Sequence, residues 1–182
     1  MNEYNIKKAC FTGYRPEKFD YKLNNGNPKY KLMASRLIET IESLYNDGCK
    51  VFYCGMAPGF DIVASECVLK IKRQHSDIRL VCAIPYLGHE SSISFEWKKR
   101  YNNVLKHSDE VVYVTENYHV SCFQLRNQYM VDLSDCVICW YDGRTGGTKN
   151  TINYAQKNNK YILNVNVEYE KELNSLQNKM NF

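Results

Sequence analysis

No run in this chain approaches the roughly 20 consecutive apolar residues that a membrane span requires. The opening Met1-Asn2-Glu3-Tyr4-Asn5 is polar and lacks the apolar stretch of a secretion signal. The expectation is a cytoplasmic protein with no membrane partner. Glycine and proline are scarce, nine and four in 182 residues, and 44% of the chain is apolar, which excludes fibrous and disordered classes. Charge of one sign is scarcely in excess: 24 basic residues against 20 acidic leave a formal net charge of +4. So weak and scattered a positive charge disfavours a nucleic-acid partner. Neither G-x-G-x-x-G nor the P-loop spacing occurs, so the ordinary NAD and ATP fingerprints are missing and no cofactor is expected. His75, His89, His107 and His119 follow no metal-ligand spacing, and no metal is assigned.

Cysteine, by contrast, is plentiful, with eight in the chain. Cys10, Cys54, Cys82, Cys136 and Cys139 lie inside apolar runs, so free core thiols are expected rather than disulfides. Cys136-Val137-Ile138-Cys139 has metal-pair spacing, but in a strand residues three apart point to opposite faces, and no second pair exists.

Five short apolar runs read as strands buried on both faces: Ala9 to Thr12, Val51 to Cys54, Leu80 to Ile84, Val111 to Thr115 and Cys136 to Tyr141. A weaker sixth is Tyr161 to Val165. Between the first two, Tyr30, Met33, Ala34, Leu37, Ile38, Ile41, Leu44 and Tyr45 keep helical spacing, with Asn27 as N-cap, Pro28 behind it and Gly48 as the stop. Phe60, Val63, Ala64, Cys67, Val68 and Ile71 predict the next helix. Further helical stretches run around Ile93 to Lys106, Cys122 to Leu133 and Thr148 to Asn158. Alternation of this kind predicts an α/β fold, a Rossmann-like three-layer sandwich on a mostly parallel sheet. The polar segment Asp20 to Asn27 reads as a mobile loop.

Ligands of open parallel sheets bind beyond the carboxyl ends of the strands. The residues placed there are Thr12-Gly13-Tyr14-Arg15-Pro16, the loop Gly55 to Gly59 with Phe60 and Asp61, Pro85-Tyr86, and Asp142 to Thr148. Gly146-Gly147-Thr148 opens a helix, where free N–H groups and the dipole suit a phosphate. Asp61, in a first helical turn, would repel a phosphate and instead suits ribose hydroxyls or acid/base chemistry. Glu66 is about 140° around the helix from Asp61, so spacing alone does not pair them. Arg15, Arg126, Arg144 and Lys149 are candidate phosphate partners, and Tyr14, Phe60, Tyr86, Tyr141 and Trp97 candidate stacking surfaces.

Thr12-Gly13-Tyr14-Arg15-Pro16, then Gly55-x-x-x-Gly59-x-Asp61-x-x-Ala64-x-Glu66, then Gln124-x-Arg126-Asn127-x-Tyr129-Met130-Val131-Asp132-x-Ser134-Asp135 resemble the YpsA-like branch of the SLOG superfamily. The resemblance covers nearly the whole chain. It implies a Rossmann-like fold and one domain, residues 1–182, that binds a nucleotide-derived ligand, as in a sensor or regulatory protein. The superfamily includes the Lonely Guy phosphoribohydrolases and the DNA-processing protein DprA. The hydrolases carry Gly-Gly-x-Gly-Thr followed by catalytic glutamates, whereas Lys149-Asn150-Thr151 follow the turn here. An N-glycosidase or phosphoribohydrolase would therefore need Asp61 or Glu66 as its acid. A single-strand nucleic-acid binder is the other alternative. The expected ligand site comprises Thr12, Gly13, Tyr14, Arg15, Gly55, Gly59, Asp61, Arg126, Asn127, Gly146, Gly147 and Thr148, and a homo-oligomer is left open.

Overall fold

A computed structural model describes residues 5–166 and Lys171. Six strands, β1 (Lys8–Thr12), β2 (Val51–Cys54), β3 (Arg79–Tyr86), β4 (Glu110–Thr115), β5 (Cys136–Cys139) and β6 (Tyr161–Asn164), alternate with α1 (Pro28–Asn46), α2 (Phe60–Lys72), α3 (Phe95–His107), α4 (Cys122–Asp132) and α5 (Gly147–Lys157). All strand pairs are parallel, in the order β4-β3-β2-β1-β5-β6. This is the α/β, Rossmann-like sandwich expected from the alternation. The chain runs outward from β1 to β4 on one side and returns to β5 and β6 on the other. The β1/β5 junction is therefore the topological switch point, where the crossovers diverge and leave a crevice at the carboxyl ends.

Strand period creates two cores. Ala9, Phe11, Phe52, Leu80, Cys82, Ile84, Cys136 and Ile138 face the larger one with α1, α2 and α3. Their neighbours Cys10, Tyr53, Val81, Ala83 and Val137 face a smaller core, closed by Met130, Val131 and Ala155 of α4 and α5. The start and stop of α1 are local. The Asn27 side chain accepts from Lys29 N–H at 2.9 Å. At the other end Gly48 N–H donates to Tyr45 O and Cys49 N–H to Leu44 O, a closure in which Gly48 takes φ +103°.

Three expectations need correction. The fourth strand is not buried on both faces: it is a sheet edge, with Val111 and Tyr113 38% and 47% exposed. The fifth stops at Cys139 rather than Tyr141, because Asn164 takes over the backbone of Tyr141 through its side-chain amide. The segment Asp20 to Asn27 is pinned rather than loose, since Leu23 is buried and its carbonyl accepts from Arg100 Nη1 at 2.7 Å. All eight cysteines are free and buried. Burial pushes the thiols of Cys10, Cys49, Cys67, Cys82 and Cys139 up to about 12, so they stay protonated at neutral pH. No helix among the described residues is long and apolar enough to cross a membrane.

Candidate functional site

The loops after β1 and β2 approach so closely that side chains are excluded from their turns. A Cβ on Gly13 would lie 2.4 Å from the Phe60 ring. Gly59 has φ +104°, and a Cβ there would meet Tyr14 O at 2.4 Å, the same carbonyl that accepts from Phe60 N–H at 3.0 Å. A second clamp joins the first and last loops. Tyr14 Oη donates to Asp142 at 2.5 Å, Lys18 Nζ to Thr145 O at 2.9 Å and Arg144 Nη2 to Lys18 O at 2.9 Å. Arg144 also grips Asp142, and its hydrogen bonds hold that carboxyl at about 2.

Between these loops and α4 lies a cleft of about 360 Å³ at the switch point. Thr12, Gly13, Tyr14 and Arg15 form one side, Gly147 and Thr148 the second, and Asp61, Phe123, Arg126 and Asn127 the remainder, with Glu17, Lys18 and Ala57 at the margin. The first N–H groups of α5 have no capping side chain, because the N-cap is Gly146. A Cβ at Gly147 would find nothing within 4 Å, so the helix end is open to the cleft.

Arg126 is 4% exposed. Its Nε donates to Asn127 Oδ1 at 2.8 Å, Asn127 Nδ2 donates to Thr151 Oγ1 at 2.9 Å, and that hydroxyl donates to Gly147 O at 2.9 Å. One chain of bonds thus ties the guanidinium to the start of α5. Its Nη1 is buried without a hydrogen-bond partner. Asp61, 6% exposed, accepts from Ala57 N–H at 3.4 Å. Burial pushes its carboxyl up to about 6, against the opposing pull of Arg126, the Ala57 N–H and Arg15. Gly55 lets the two meet: a Cβ there would lie 2.1 Å from Arg126 Nη1 and 2.9 Å from Asp61 Oδ2. Behind Phe123 the His89 ring is buried, its Nδ1 also unpartnered. Burial and the nearby Arg126 and Arg15 pull it down to about 4, which leaves it neutral.

Of the expected site residues, Thr12, Gly13, Tyr14, Arg15, Asp61, Arg126, Asn127, Gly147 and Thr148 converge on this cleft. Gly55, Gly59 and Gly146 support it without lining it: the first two permit close packing, and Gly146 sits beside Lys18 Nζ at 3.1 Å from a would-be Cβ. Glu66 is diverted. Arg100 holds both its oxygens, at 2.8 and 2.5 Å, and stacks 4.4 Å over Trp97. Neither Glu66 nor Trp97 lines the cleft. Arg144 is committed to Asp142, and Phe60 is fully buried beneath Gly13. Beside Tyr14, the cleft wall carries a second aromatic ring, Phe123, which sequence reasoning missed. Apolar and polar residues are spread around α4, so no face of it could be assigned from spacing.

Residues 9–171 match the family model described as the YspA SLOG family. The SPbeta prophage-derived protein YoqJ of Bacillus subtilis (strain 168) is 33% identical over 144 residues, 72% of this chain and 84% of that protein. A UPF0398 protein of Bacillus thuringiensis (strain Al Hakam) is 25% identical over 161 residues, 87% of each. DNA processing protein A from Helicobacter pylori, a solved structure described for its single-stranded DNA binding mode, matches with a TM-score of 0.57. The match has 18% identity and covers 97% of this chain and 82% of that one. This corrects the expectation that mild net charge disfavours a nucleic-acid partner. A protein of this fold binds single-stranded DNA, and net charge averages over a surface of which a strand touches one groove.

Proposed function

The chain belongs to the YspA SLOG family, and on that premise we propose that the cleft at the β1/β5 junction binds the phosphate of a nucleotide or nucleotide-derived molecule. The observation that carries this reading is Arg126, a buried guanidinium with a free Nη1 on the cleft wall. Withdrawing a charge from water costs several kcal/mol per ion. Retaining it with one nitrogen unused suits an anion that arrives from outside. The open start of α5 at Gly147 and Thr148, with Arg15 on the facing side and Lys18 at the margin, offers the phosphate donors and positive potential. Asp61, acceptor-only when ionised, takes hydroxyl hydrogen bonds from the sugar. In this reading the protein is a one-domain sensor or regulator of the cytoplasm.

A panel of mono-, di- and cyclic nucleotides and ADP-ribose tests it by thermal shift. Saturation at about 100 times the Kd stabilises the protein by about 2.7 kcal/mol. At least one member is expected to raise the wild-type Tm, with the shift lost in Arg126→Gln. A panel that moves no transition at millimolar concentration refutes the reading. The carboxyl of Asp61, held near 6 inside the cleft, favours a second reading as an N-glycosidase acid. Release of free base by the wild type that stops in Asp61→Asn would establish it.

A further inference from the structure

The wall shared by α4 and α5 continues past the phosphate cleft. A second cavity, of about 550 Å³, lies between the two helices. Phe123, Asn127 and Gly147 line both, so the two spaces adjoin. Its sides carry five amides, Gln124, Asn127 and Gln128 from α4 and Asn150 and Asn153 from α5. Asn127 is bonded to Arg126 and Thr151, whereas the side chains of Gln124, Gln128, Asn150 and Asn153 make no hydrogen bond among the described residues. On α5, Asn150, Asn153 and Lys157 fall at i, i+3 and i+7, one stripe of the helix. Lys157 closes the far end, ten residues and thus about 15 Å along the helix from Gly147. No carboxylate lines the groove, although the chain carries 20 acidic residues, and α5 contains none.

These features suit a polyanion that bears hydrogen-bonding edges. Amides donate and accept at once, which matches the edges of nucleobases. Phe123, wedged against Tyr86 and His89, stands at the junction as an aromatic surface for a base. Lys157 at the far end, and Arg126 in the adjoining cleft, suit phosphates that are separated rather than clustered. We infer that the α4–α5 groove is a subsite for the next unit of a nucleotide chain. The ligand class is then a single-stranded oligonucleotide of two or more nucleotides. One phosphate lies at the start of α5, the base of the next unit lies among the amides, and a further phosphate lies near Lys157. The inference rests on the reading of the cleft as a nucleotide-phosphate site.

The test is a length series of 5′-phosphorylated deoxynucleotides, from one to six residues, titrated by calorimetry into the full chain. Wild-type affinity is expected to rise at least tenfold from mononucleotide to di- or trinucleotide. A double variant, Asn153→Asp with Lys157→Glu, is expected to lose that rise while binding the mononucleotide within twofold of wild type. Far-UV circular dichroism confirms that these exposed substitutions leave the fold intact. Lys157→Gln alone is expected to lower the slope of log K against log salt for the oligonucleotide by about 0.7. A probe abasic at its second position is expected to bind as weakly as the mononucleotide. Equal affinity across the series in the wild type, or full oligonucleotide affinity in the double variant, overturns the groove assignment and leaves the cleft standing. Full affinity of the abasic probe overturns base recognition by the amides. Absence of binding by every member, the mononucleotide included, overturns the cleft reading and this inference together.

Discussion

Replacing Asp61 with Asn is expected to stabilise the unliganded protein while weakening its ligand binding. The carboxyl titrates at 3.8 when unperturbed and at about 6 in the fold, because burial disfavours its charged form more than Arg126, Ala57 N–H and Arg15 favour it. A folded-state value raised above the unfolded one means that stability falls as pH rises. The penalty is nil below about 4, grows between 4 and 6, and is complete at pH 7. About two pK units at 1.36 kcal/mol each place it at about 3 kcal/mol. Asn keeps the acceptor for the Ala57 N–H and removes the charge. For a chain of this length the gain at pH 7 corresponds to about 6–12 °C in Tm. Urea unfolding of wild type and variant at pH 4 and pH 7 isolates the effect, since the other carboxyls are common to both. The expected difference is near zero at pH 4 and about 3 kcal/mol in favour of the variant at pH 7. A variant less stable than wild type at pH 7, or a difference independent of pH, would refute the argument. Loss of nucleotide binding alongside the gain would mark Asp61 as a strained group kept for function.

Gly59→Ala is expected to cost about 2 kcal/mol or more in urea unfolding, because φ +104° strains any Cβ and this one would lie 2.4 Å from Tyr14 O. Gly147→Asp is expected to leave the Tm of the unliganded protein within a few degrees, since nothing lies within 4 Å of the new Cβ. The carboxylate placed at the open helix end is expected to lower phosphate affinity at least a hundredfold by calorimetry. Glu66→Gln is expected to cost about 1 kcal/mol through the weakened Arg100 pair, yet leave nucleotide affinity within twofold. A large loss of affinity would return Glu66 to the site.

Some of this molecule is determined locally. The spacing of Tyr30, Met33, Leu37, Ile41 and Leu44, with Asn27 before and Gly48 after, dictates α1 within a residue or two, because caps and apolar periodicity act over a single turn. Five β-branched, aromatic and cysteine-rich runs likewise specify a parallel sheet, and with it the edge on which Thr12 to Arg15, Asp61 and Gly147 meet. The Thr12 to Pro16 and Gly55 to Gly59 motifs were legible for the same reason, since each is a short turn of defined chemistry at a strand end, whereas the Gln124 to Asp135 block lies mostly on α4. What only the tertiary structure decided is which polar group answers which. Asp61 and Glu66 are five residues apart on one helix, yet one is buried beside Arg126 and the other is captured by Arg100. Phe123 enters the cleft from a helix whose apolar residues point all round. The edge position of β4 follows from strand order, not from its apolar composition. A hydrophobic pattern records that a side chain leaves water, which is a property of the residue and its near neighbours. The partner of a buried charge depends on the order in which distant strands assemble, and that order is written in no single segment.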